Sequence, residues 1–459
     1  MMRLARGMQC VVVGLGASGM AAVRYLRDQG LQVSVSESRP AEAVSGADRA
    51  ALQEMGVVWE SGGHRNEFFR EAELIVPSPG VPLDLPVLRA ARERGVVIAG
   101  ELAIAAGRLN APVIAVTGSN GKTTVTSLVG HLLRSAGREV FVGGNIGTPV
   151  LEYLRGSQEA EAVVLELSSF QLETGGAFRP DIGLLLNLSP DHLDRHGSME
   201  GYAAAKRRIF VNQGEGDTAI LGADDPMVMA EPIATGAKVL RFGTGTDCET
   251  LVREEGVVLA LDRAGCRIEE EYDLRGTALA SFINRLNAAA AILAVRVFGC
   301  SAGEIRAGLA GYVPPAHRMA LVAEIGGVRY VDDSKGTNIG AVTAALASCG
   351  DRVILIAGGR NKGSDFSLLA ESVTRHVRHL ILIGEAASQM AEQLGSLVPL
   401  SEAASMEDAV RRAAEVAQAG DTVLLSPACA SFDMFSSYAH RGEVFRQAVQ
   451  GLRSDHYCG

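Results

Sequence analysis

The chain has 459 residues, enough for about three domains of ordinary size. Hydrophobic residues make up 47% of it and charged residues 21%, a globular composition with ample material for buried cores. The formal net charge of −10 argues against a general binder of nucleic acids or anionic membranes, whose phosphates require clustered lysine and arginine. We therefore expect neither as a partner, although local anion sites are compatible with this charge.

The cysteines and the apolar runs indicate where the protein acts. The seven cysteines are scattered and form no CxxC pair, so the sequence predicts neither a zinc site nor a disulfide framework. The N-terminus has no long apolar segment before Gly14, and no run of about 18 apolar residues follows. We expect a cytoplasmic protein.

Short apolar runs alternate with longer segments of helical period along the chain. This alternation is typical of α/β folds in which helices cover a parallel sheet. The clear strand candidates are residues 10–13, 74–76, 113–116, 162–167, 182–188, 353–357, 379–383 and 422–425. The segment 239–275 differs, because its short alternating stretches favour an antiparallel insertion.

Two breaks divide the chain. The first lies near residues 97–112, and the second near residues 312–316, where a proline pair ends a helical run. The predicted domains are therefore residues 1–99, 100–313 and 314–459.

A glycine loop follows the first predicted strand. Residues 14–19 read GLGASG, and a helical run begins directly after them. Such a loop lets the backbone approach a pyrophosphate at a helix N-terminus, and Glu37 stands about where an acid would meet a ribose hydroxyl. A dinucleotide site, a UDP-sugar site and a tight turn without a ligand all fit this pattern.

A second glycine loop follows the strand at 113–116. Residues 117–124 read TGSNGKTT, the core of a phosphate loop entering a helix, although Val116 replaces its usual first glycine. Lys122 would neutralise the phosphates of ATP, and a threonine hydroxyl would bind Mg²⁺. A dehydrogenase needs no such loop. Two phosphate-binding units favour an ATP-driven transferase or ligase.

Candidates for metal binding lie at the ends of two later strands. Glu166 ends one of them, and Asp191 and His192 follow the other. Mg²⁺ prefers oxygen ligands, so His192 would be an unusual partner. Lysine is rare here, with five residues in all, which favours a specific role for Lys206, although a surface ammonium is the alternative.

Seven motifs in their order along the chain resemble the Mur ligases of peptidoglycan synthesis. The resemblance runs from Gly14 to about Phe445, and the motifs at 332–338 and 426–431 select the glutamate-adding members. The motifs are TGSNGKTT at 117–124, GGNIGTP at 143–149, ELSSFQL at 166–172, DHLDR at 191–195, DDSKGTN at 332–338, GGRNKG at 358–363 and SPACASFD at 426–433.

The resemblance implies an α/β protein of three domains. The N-terminal domain is Rossmann-like and binds the UDP of UDP-N-acetylmuramoyl-L-alanine, the central domain is of the P-loop ATPase type, and the C-terminal domain is Rossmann-like and binds D-glutamate. A monomer is expected. The reaction implied is ATP-dependent amide formation through an acyl phosphate, and the alternative is a related Mur or folylpolyglutamate-type ligase with another acceptor.

The family's functional residues map onto this sequence as follows. The implied catalytic residues are Lys122, His192, Lys206 and Arg318. The implied ATP contacts are Gly118, Ser119, Asn120, Gly121, Lys122, Thr123, Thr124, Asn284, Asn287, Arg318, Asp333 and Lys335. The implied contacts to the UDP substrate are Ala17, Ser18, Ser38, Arg39, Gly80, Asn145, Ser168, Gln171 and His192. The implied glutamate contacts are Thr337, Lys362, Ser431 and Phe432. The implied Mg²⁺ ligands are Thr123, Glu166, His192 and a carbamylated Lys206.

The sequence departs from the family's usual residues at three other positions, two of them directly before mapped residues. Ile283 and Asn361 replace the usual histidine and aspartate, and Tyr438 replaces a phenylalanine. These changes bear on the fine geometry of adenine and glutamate binding, and the reaction class is unaffected by them.

Overall fold

The computed structural model describes residues 2–263 and 266–455, so Cys458 lies outside it. Within these residues, three sheets of five, nine and six strands form the framework. They fall in two compact units. One comprises residues up to Asn187, Glu200–Asp273 and Asn287–Gly311, and the other comprises Leu188–Met199, Leu274–Leu286 and the chain from Tyr312 onward. No helix of the described part combines the length and apolarity that crossing a bilayer would require.

The first sheet is wholly parallel, in the order β3-β2-β1-β4-β5. Helices cover it, so its central strands are buried on both faces and read as continuous apolar runs. The predicted strands at 10–13 and 74–76 are confirmed. The strands are β1 (Gln9–Val13), β2 (Gln32–Ser36), β3 (Val58–Glu60), β4 (Leu74–Pro77) and β5 (Val97–Ile98), and the helices are α1 (Ala17–Asp28), α2 (Gly46–Glu54) and α3 (Pro86–Glu93).

The second sheet has the order β14-β13-β12-β11-β10-β9-β6-β8-β7. Its strands are β6 (Val113–Thr117), β7 (Val140–Gly144), β8 (Ala162–Glu166), β9 (Ile182–Leu185), β10 (Thr218–Gly222), β11 (Lys238–Gly243), β12 (Thr250–Val252), β13 (Gly256–Arg263) and β14 (Cys266–Asp273). Helices in the same part of the chain are α4 (Glu101–Ala105), α5 (Lys122–Ser135), α6 (Val150–Leu154), α7 (Ser169–Glu173), α8 (Leu193–His196), α9 (Met199–Arg207), α10 (Pro226–Met229), α11 (Phe282–Phe298) and α12 (Ala302–Ala310).

Two predictions for this sheet need correction. The segment 239–275 is only partly antiparallel, because β11 pairs in parallel with both β10 and β12, and antiparallel pairing begins between β12 and β13. The strand predicted at 182–188 ends at Leu185, since Asn187 turns back to bond the loop after β6. Apolar character alone did not reveal either change.

The third sheet has the order β15-β16-β20-β17-β18-β19, and only the edge pair β15 and β16 is antiparallel. Its buried side chains form a cluster on each face. The strands are β15 (Ala320–Ile325), β16 (Val328–Asp332), β17 (Val353–Gly358), β18 (Val377–Ile383), β19 (Leu400–Glu402) and β20 (Thr422–Leu425). The helices are α13 (Ile339–Cys349), α14 (Ala370–His376), α15 (Ala387–Leu394), α16 (Met406–Val416) and α17 (Tyr438–Asp455).

The pairing of β6 determines what surrounds the second glycine loop. β6 lies between β8 and β9 and runs parallel to both, with Val116 opposite Glu166 and Thr117 opposite Leu185. Because parallel strands end at the same edge of a sheet, the segments that follow all three strands converge there. This edge carries the candidate ATP site.

At Gly19, the first glycine loop has no room for a further methyl group. A Cβ atom on Gly19 would lie 2.0 Å from the carbonyl oxygen of Gly14, so α1 can pack this closely on the loop only with glycine there. The same oxygen accepts a 2.8 Å hydrogen bond from the Ser78 hydroxyl. The glycine loop, the start of α1 and Ser78 are therefore packed closely against one another.

We expect Gly19→Ala to destabilise the protein by about 1–3 kcal/mol, because the new methyl group forces a backbone shift. The matched control is Gly303→Ala, in α12, where a Cβ meets nothing within 4 Å and helix propensity favours alanine by about 0.5–1 kcal/mol. Thermal unfolding of both variants measures the difference. Equal or opposite shifts would contradict the packing argument.

Candidate active site

The loop between β6 and α5 is built as a phosphate cradle. Gly118 and Gly121 have φ angles of +152° and +81°, which favour glycine, and Gly121 is the N-cap of α5. The Lys122 ammonium donates 2.8 Å hydrogen bonds to the carbonyls of Gly118 and Ser119. These hydrogen bonds hold the loop in the curved conformation that is typical of a phosphate loop.

Asn187 holds this loop from the end of β9. Its side-chain oxygen accepts from the Asn120 amide at 2.8 Å, its side-chain nitrogen donates to the Asn120 carbonyl at 3.1 Å, and its own carbonyl accepts from the Ser119 amide at 2.9 Å. Sequence reasoning missed this role. A polar amide directly after an apolar strand was the available signal.

Glu166 lies at the end of β8 and is 2% exposed. One carboxylate oxygen accepts a 2.6 Å hydrogen bond from the Thr123 hydroxyl, and the other accepts a 2.9 Å hydrogen bond from the Asn145 amide. These oxygen donors fit Mg²⁺. Within the described residues, no three His, Cys, Asp or Glu side chains form a cluster suited to a metal.

Lys206 is buried, 1% exposed, so the surface-ammonium alternative is wrong. It lies on α9, and its Nζ atom donates a 2.8 Å hydrogen bond to the Gly118 carbonyl and lies 4.7 Å from the ring centroid of Tyr202. The Tyr202 hydroxyl in turn meets the Ser119 hydroxyl at 3.1 Å. The structure thus brings Lys206 to the phosphate loop, and its carbamylation stays a prediction.

Asn287, Ser168 and Gln171 belong to the same compact unit as the phosphate loop. A Cβ atom on Gly121 would stand 2.4 Å from the side-chain oxygen of Asn287, which places that amide against the loop. Ser168 and Gln171 form the capping box of α7, each side chain bonding the other residue's backbone amide. Asn284, at the start of α11, donates to the Ala278 carbonyl at 3.0 Å. The ligand roles of all four stay predictions.

The first glycine loop is tied to Glu37. The buried carboxylate accepts a 2.7 Å hydrogen bond from the Leu15 amide and a paired set from the Arg39 guanidinium, and the Ser38 hydroxyl lies 3.4 Å away. Burial opposes its charge, yet these hydrogen bonds outweigh burial and lower the pKa of Glu37 to about 2. Glu37 therefore organises the loop, which does not support the dinucleotide interpretation.

Three further predicted UDP contacts, Ala17, Ser18 and Gly80, lie in or beside the same loop. Ala17 and Ser18 begin α1, whose N-cap, Gly16, offers no side chain to the helix amides. A Cβ atom at Gly80 would meet nothing within 4 Å, so its backbone borders open space. Free helix amides beside an open backbone suit a diphosphate.

In the second compact unit, Asp191 contacts residues of the motifs at 332–338 and 358–363. It accepts a 2.8 Å hydrogen bond from the Lys362 ammonium and a 3.2 Å hydrogen bond from the Asn338 amide, and His192 lies 3.6 Å away. Burial would raise the pKa of Asp191, but Lys362 and His192 outweigh it and lower the pKa. Lys362, predicted to bind a substrate carboxylate, binds the side-chain carboxylate of Asp191 in this structure, and its role in substrate binding stays a prediction.

Around β16 and β20 the structure gathers further predicted residues. The buried Asp333 accepts a 2.8 Å hydrogen bond from Ser426, and burial raises its pKa to about 7 against the opposing charge of Arg318. The Lys335 ammonium lies 4.9 Å from the ring centroid of Tyr438. The remaining predicted glutamate contacts differ in exposure: Ser431 is buried, Thr337 is half-buried and Phe432 is 65% exposed.

Three α/β sheets with a phosphate loop at the edge of the second define a nucleotide-binding enzyme of the α/β class. The sequence matches three family models: the Mur ligase MurD-like N-terminal domain over residues 8–100, the Mur ligase middle domain over 116–295, and the Mur ligase glutamate ligase domain over 317–429. This chain belongs to the Mur ligase family, so the predicted family and three-domain α/β fold class are confirmed.

Relatives and solved structures agree with this. The UDP-N-acetylmuramoylalanine–D-glutamate ligase of Desulfotalea psychrophila is 48% identical over 96% of both chains, and that of Geobacter metallireducens is 41% identical over 97% of this chain and 98% of its own. The MurC ligase of Thermotoga maritima has a TM-score of 0.59 at 19% identity, covering 97% of this chain and 100% of its own. The MurF ligase of Thermotoga maritima in complex with ADP has a TM-score of 0.59 at 18% identity, covering 98% and 96%. These two structures show the shared fold.

We expect Glu37→Gln to destabilise the protein at neutral pH by roughly 1.5–3 kcal/mol, the ordinary range for hydrogen bonds to a charged group. The folded-state pKa of Glu37 is depressed, so its contribution is present above its unfolded value and lost as pH falls from about 4.5 towards about 2. Thermal unfolding across pH should show the two proteins converging there. A constant difference, or an equal loss in the exposed control Glu42→Gln, would contradict this assignment.

Proposed function

We propose that this protein is an ATP-dependent ligase that joins D-glutamate to UDP-N-acetylmuramoyl-L-alanine, a step of peptidoglycan synthesis. The observation that carries the proposal is the phosphate loop with Glu166 and Lys206 beside it, in a chain whose relatives over nearly the whole length are named for this reaction. The glutamate ligase domain matched at residues 317–429 supports the amino acid substrate.

The chemistry explains why a phosphate loop is needed. A carboxylate does not acylate an amine unaided, since its oxygen is a poor leaving group. Phosphorylation of the terminal carboxylate by ATP gives an acyl phosphate and ADP. The glutamate amine then attacks the acyl carbon, and phosphate leaves as the amine loses a proton. Both partners of the first step are anionic, so the Lys122 ammonium and the loop amides would offset their repulsion in a site of low dielectric. Arg318 is proposed to assist.

The proposal includes Mg²⁺ as a cofactor. Thr123 and Glu166 supply the kind of oxygen ligands that it prefers, and His192 and a carbamylated Lys206 are the further proposed ligands. When bound, the ion would stabilise charge on phosphate oxygens. The Thr123 hydroxyl donates a 2.6 Å hydrogen bond to the Glu166 carboxylate, so both side-chain oxygens lie near the first turn of α5.

The burial of Lys206 supports its carbamylation. Carbon dioxide reacts with a neutral amine, and a free lysine, with a pKa of about 10.4, is almost wholly charged at neutral pH. Removal from water makes a charged ammonium costly, and Lys206 is 1% exposed, with its Nζ atom 2.8 Å from the Gly118 carbonyl. An arginine could not form the carbamate.

The remaining proposed contacts follow from charge and position. Ala17, Ser18, Ser38, Arg39 and Gly80 would bind the UDP group around the first glycine loop. Lys362 would bind a glutamate carboxylate, which would replace Asp191 as the partner of its ammonium. Thr337, Ser431 and Phe432 would complete that pocket. Asp333 and Lys335 would approach the nucleotide.

We further propose that the protein acts as a cytoplasmic monomer, without nucleic acid or membrane. The net charge of −10 supports the last two points, because a surface with this balance repels polyanions.

The direct test offers the protein ATP, Mg²⁺, UDP-N-acetylmuramoyl-L-alanine and D-glutamate, with L-glutamate and a folate acceptor in parallel. We expect phosphate release, and a product whose mass is the sum of the two joined substrates less one water, only in the first mixture. Lys122→Ala should lower kcat/KM by roughly 100-fold to 1,000-fold, because an electrostatic contact to the reacting phosphate is lost. Near-normal turnover in the variant would exclude the phosphate-loop role, and failure of the wild type to release phosphate would exclude the function.

Lys206→Ala should be nearly inactive, and a short-chain carboxylic acid should partly restore turnover by supplying the missing oxygens. The matched control is Lys238→Ala, an exposed lysine outside the motifs, which should behave as wild type. Steady-state phosphate release with added acetate or methylamine is the measurement. Restoration by methylamine instead would show that the amine itself is needed and would refute the carbamate.

A further inference from the structure

Arg441 is a buried charged residue that sequence reasoning did not single out. It lies in the first turn of α17 and is 1% exposed. Its Nε atom donates to the Ser334 hydroxyl at 3.0 Å, and one Nη atom donates to the Ser334 and Cys429 carbonyls at 2.8 and 3.1 Å. The other Nη atom donates to the Cys429 carbonyl at 3.2 Å. The guanidinium therefore bridges two loops that are far apart in sequence.

The positive charge of Arg441 is stabilised by the carbonyl and hydroxyl groups that it contacts and, from farther away, by carboxylates. Its described hydrogen-bond acceptors are carbonyls and a hydroxyl, and no carboxylate is among them. Burial lowers the pKa of Arg441 to about 10, and Asp433, Asp332 and Asp333 oppose the shift. The side chain thus stays charged at neutral pH, and a charged donor makes the stronger kind of hydrogen bond.

The two loops also contact each other next to the guanidinium. The Ser334 hydroxyl accepts from Arg441 and donates to the Tyr438 carbonyl at 2.8 Å, so both sides of it are used. Ala428, a residue other than glycine, has a φ of +60°, and its amide donates to the Gly336 carbonyl at 2.9 Å. A left-handed alanine persists only where its surroundings hold it.

A second feature makes room for the guanidinium. A Cβ atom on Gly359 would stand 3.2 Å from Nη1 of Arg441, so the backbone of the motif at 358–363 borders the charged group. That motif carries Lys362. Arg441 therefore touches two glutamate-site loops directly and lies against the third.

We propose that Arg441 is a positioning residue for the D-glutamate site, which acts by fixing the loops of Ser334 and Cys429 relative to each other. The argument rests on the proposed function. Ser334 directly precedes Lys335 and stands three residues before Thr337, and Cys429 stands two residues before Ser431. A shift of either loop therefore moves the residues proposed to bind glutamate. The UDP contacts proposed around the first glycine loop belong to another unit and give an internal reference.

The test compares Arg441→Met, Arg441→Lys and Ser334→Ala with wild type by steady-state phosphate release. We expect Arg441→Met to raise the KM for D-glutamate by roughly tenfold or more, since several hydrogen bonds to a charged group are lost, while the KM for UDP-N-acetylmuramoyl-L-alanine stays within about twofold. Arg441→Lys should raise the KM for D-glutamate by a few-fold, because a single ammonium cannot bridge both carbonyls. Ser334→Ala should raise the same KM by a few-fold, because the hydroxyl that accepts from Arg441 is lost. Arg446→Met, an exposed change on the same helix, is the control and should match wild type.

The pattern of constants separates positioning from folding. Loss of folded protein lowers kcat and leaves both KM values unchanged, and circular dichroism with thermal unfolding reports the folded fraction. Should Arg441→Met not fold, the two milder variants decide. Folded variants with a wild-type KM for D-glutamate would overturn the assignment while the ligase activity stands. A wild type without ligase activity would remove the proposed function and this assignment with it.

Discussion

The conformation of one short loop is the constraint on which the candidate active site depends. A phosphate cradle requires amides that point outward, and this requires left-handed glycines and a holder for the loop's own polar groups. Asn187 fixes the loop through hydrogen bonds with Asn120 and Ser119, and the Lys122 ammonium donates hydrogen bonds to two loop carbonyls. Glu166 can stand beside the loop because β6 is paired in parallel with β8.

Buried charges recur at the places that would bind ligand, and each is held by a different kind of partner. Glu37 is paired with Arg39 and accepts a hydrogen bond from a backbone amide, and Asp191 is paired with Lys362 and accepts a hydrogen bond from Asn338. Arg441 is held by carbonyls. Burying a charge is costly unless it is hydrogen-bonded, so each group fixes the backbone around it. The loops that would bind substrates thereby obtain defined shapes.

Much of the fold could be predicted because parallel sheets buried on both faces leave strong apolar runs, as in β1, β6 and β17. The phosphate loop could be predicted for a similar reason, since its glycines and lysine are set by local backbone geometry. The bend after Leu185 could not be predicted, because it depends on the contact of Asn187 with Asn120, which is distant in sequence. The parallel pairing of β11 could not be predicted because an alternating side-chain pattern does not record the direction of the neighbouring strand.

The sequence by itself determined the family, the α/β class and the residue types that carry the chemistry, because these follow from local periodicity and from motifs whose spacing is short. Only the tertiary structure decided that Lys206 is buried on the phosphate loop, that Glu37 serves its own loop, and that Arg441 joins the loops of Ser334 and Cys429. The physical reason is that burial and hydrogen-bond partnership belong to pairs of residues. Their meeting depends on how the strands are ordered in the sheets, which no stretch of sequence records on its own.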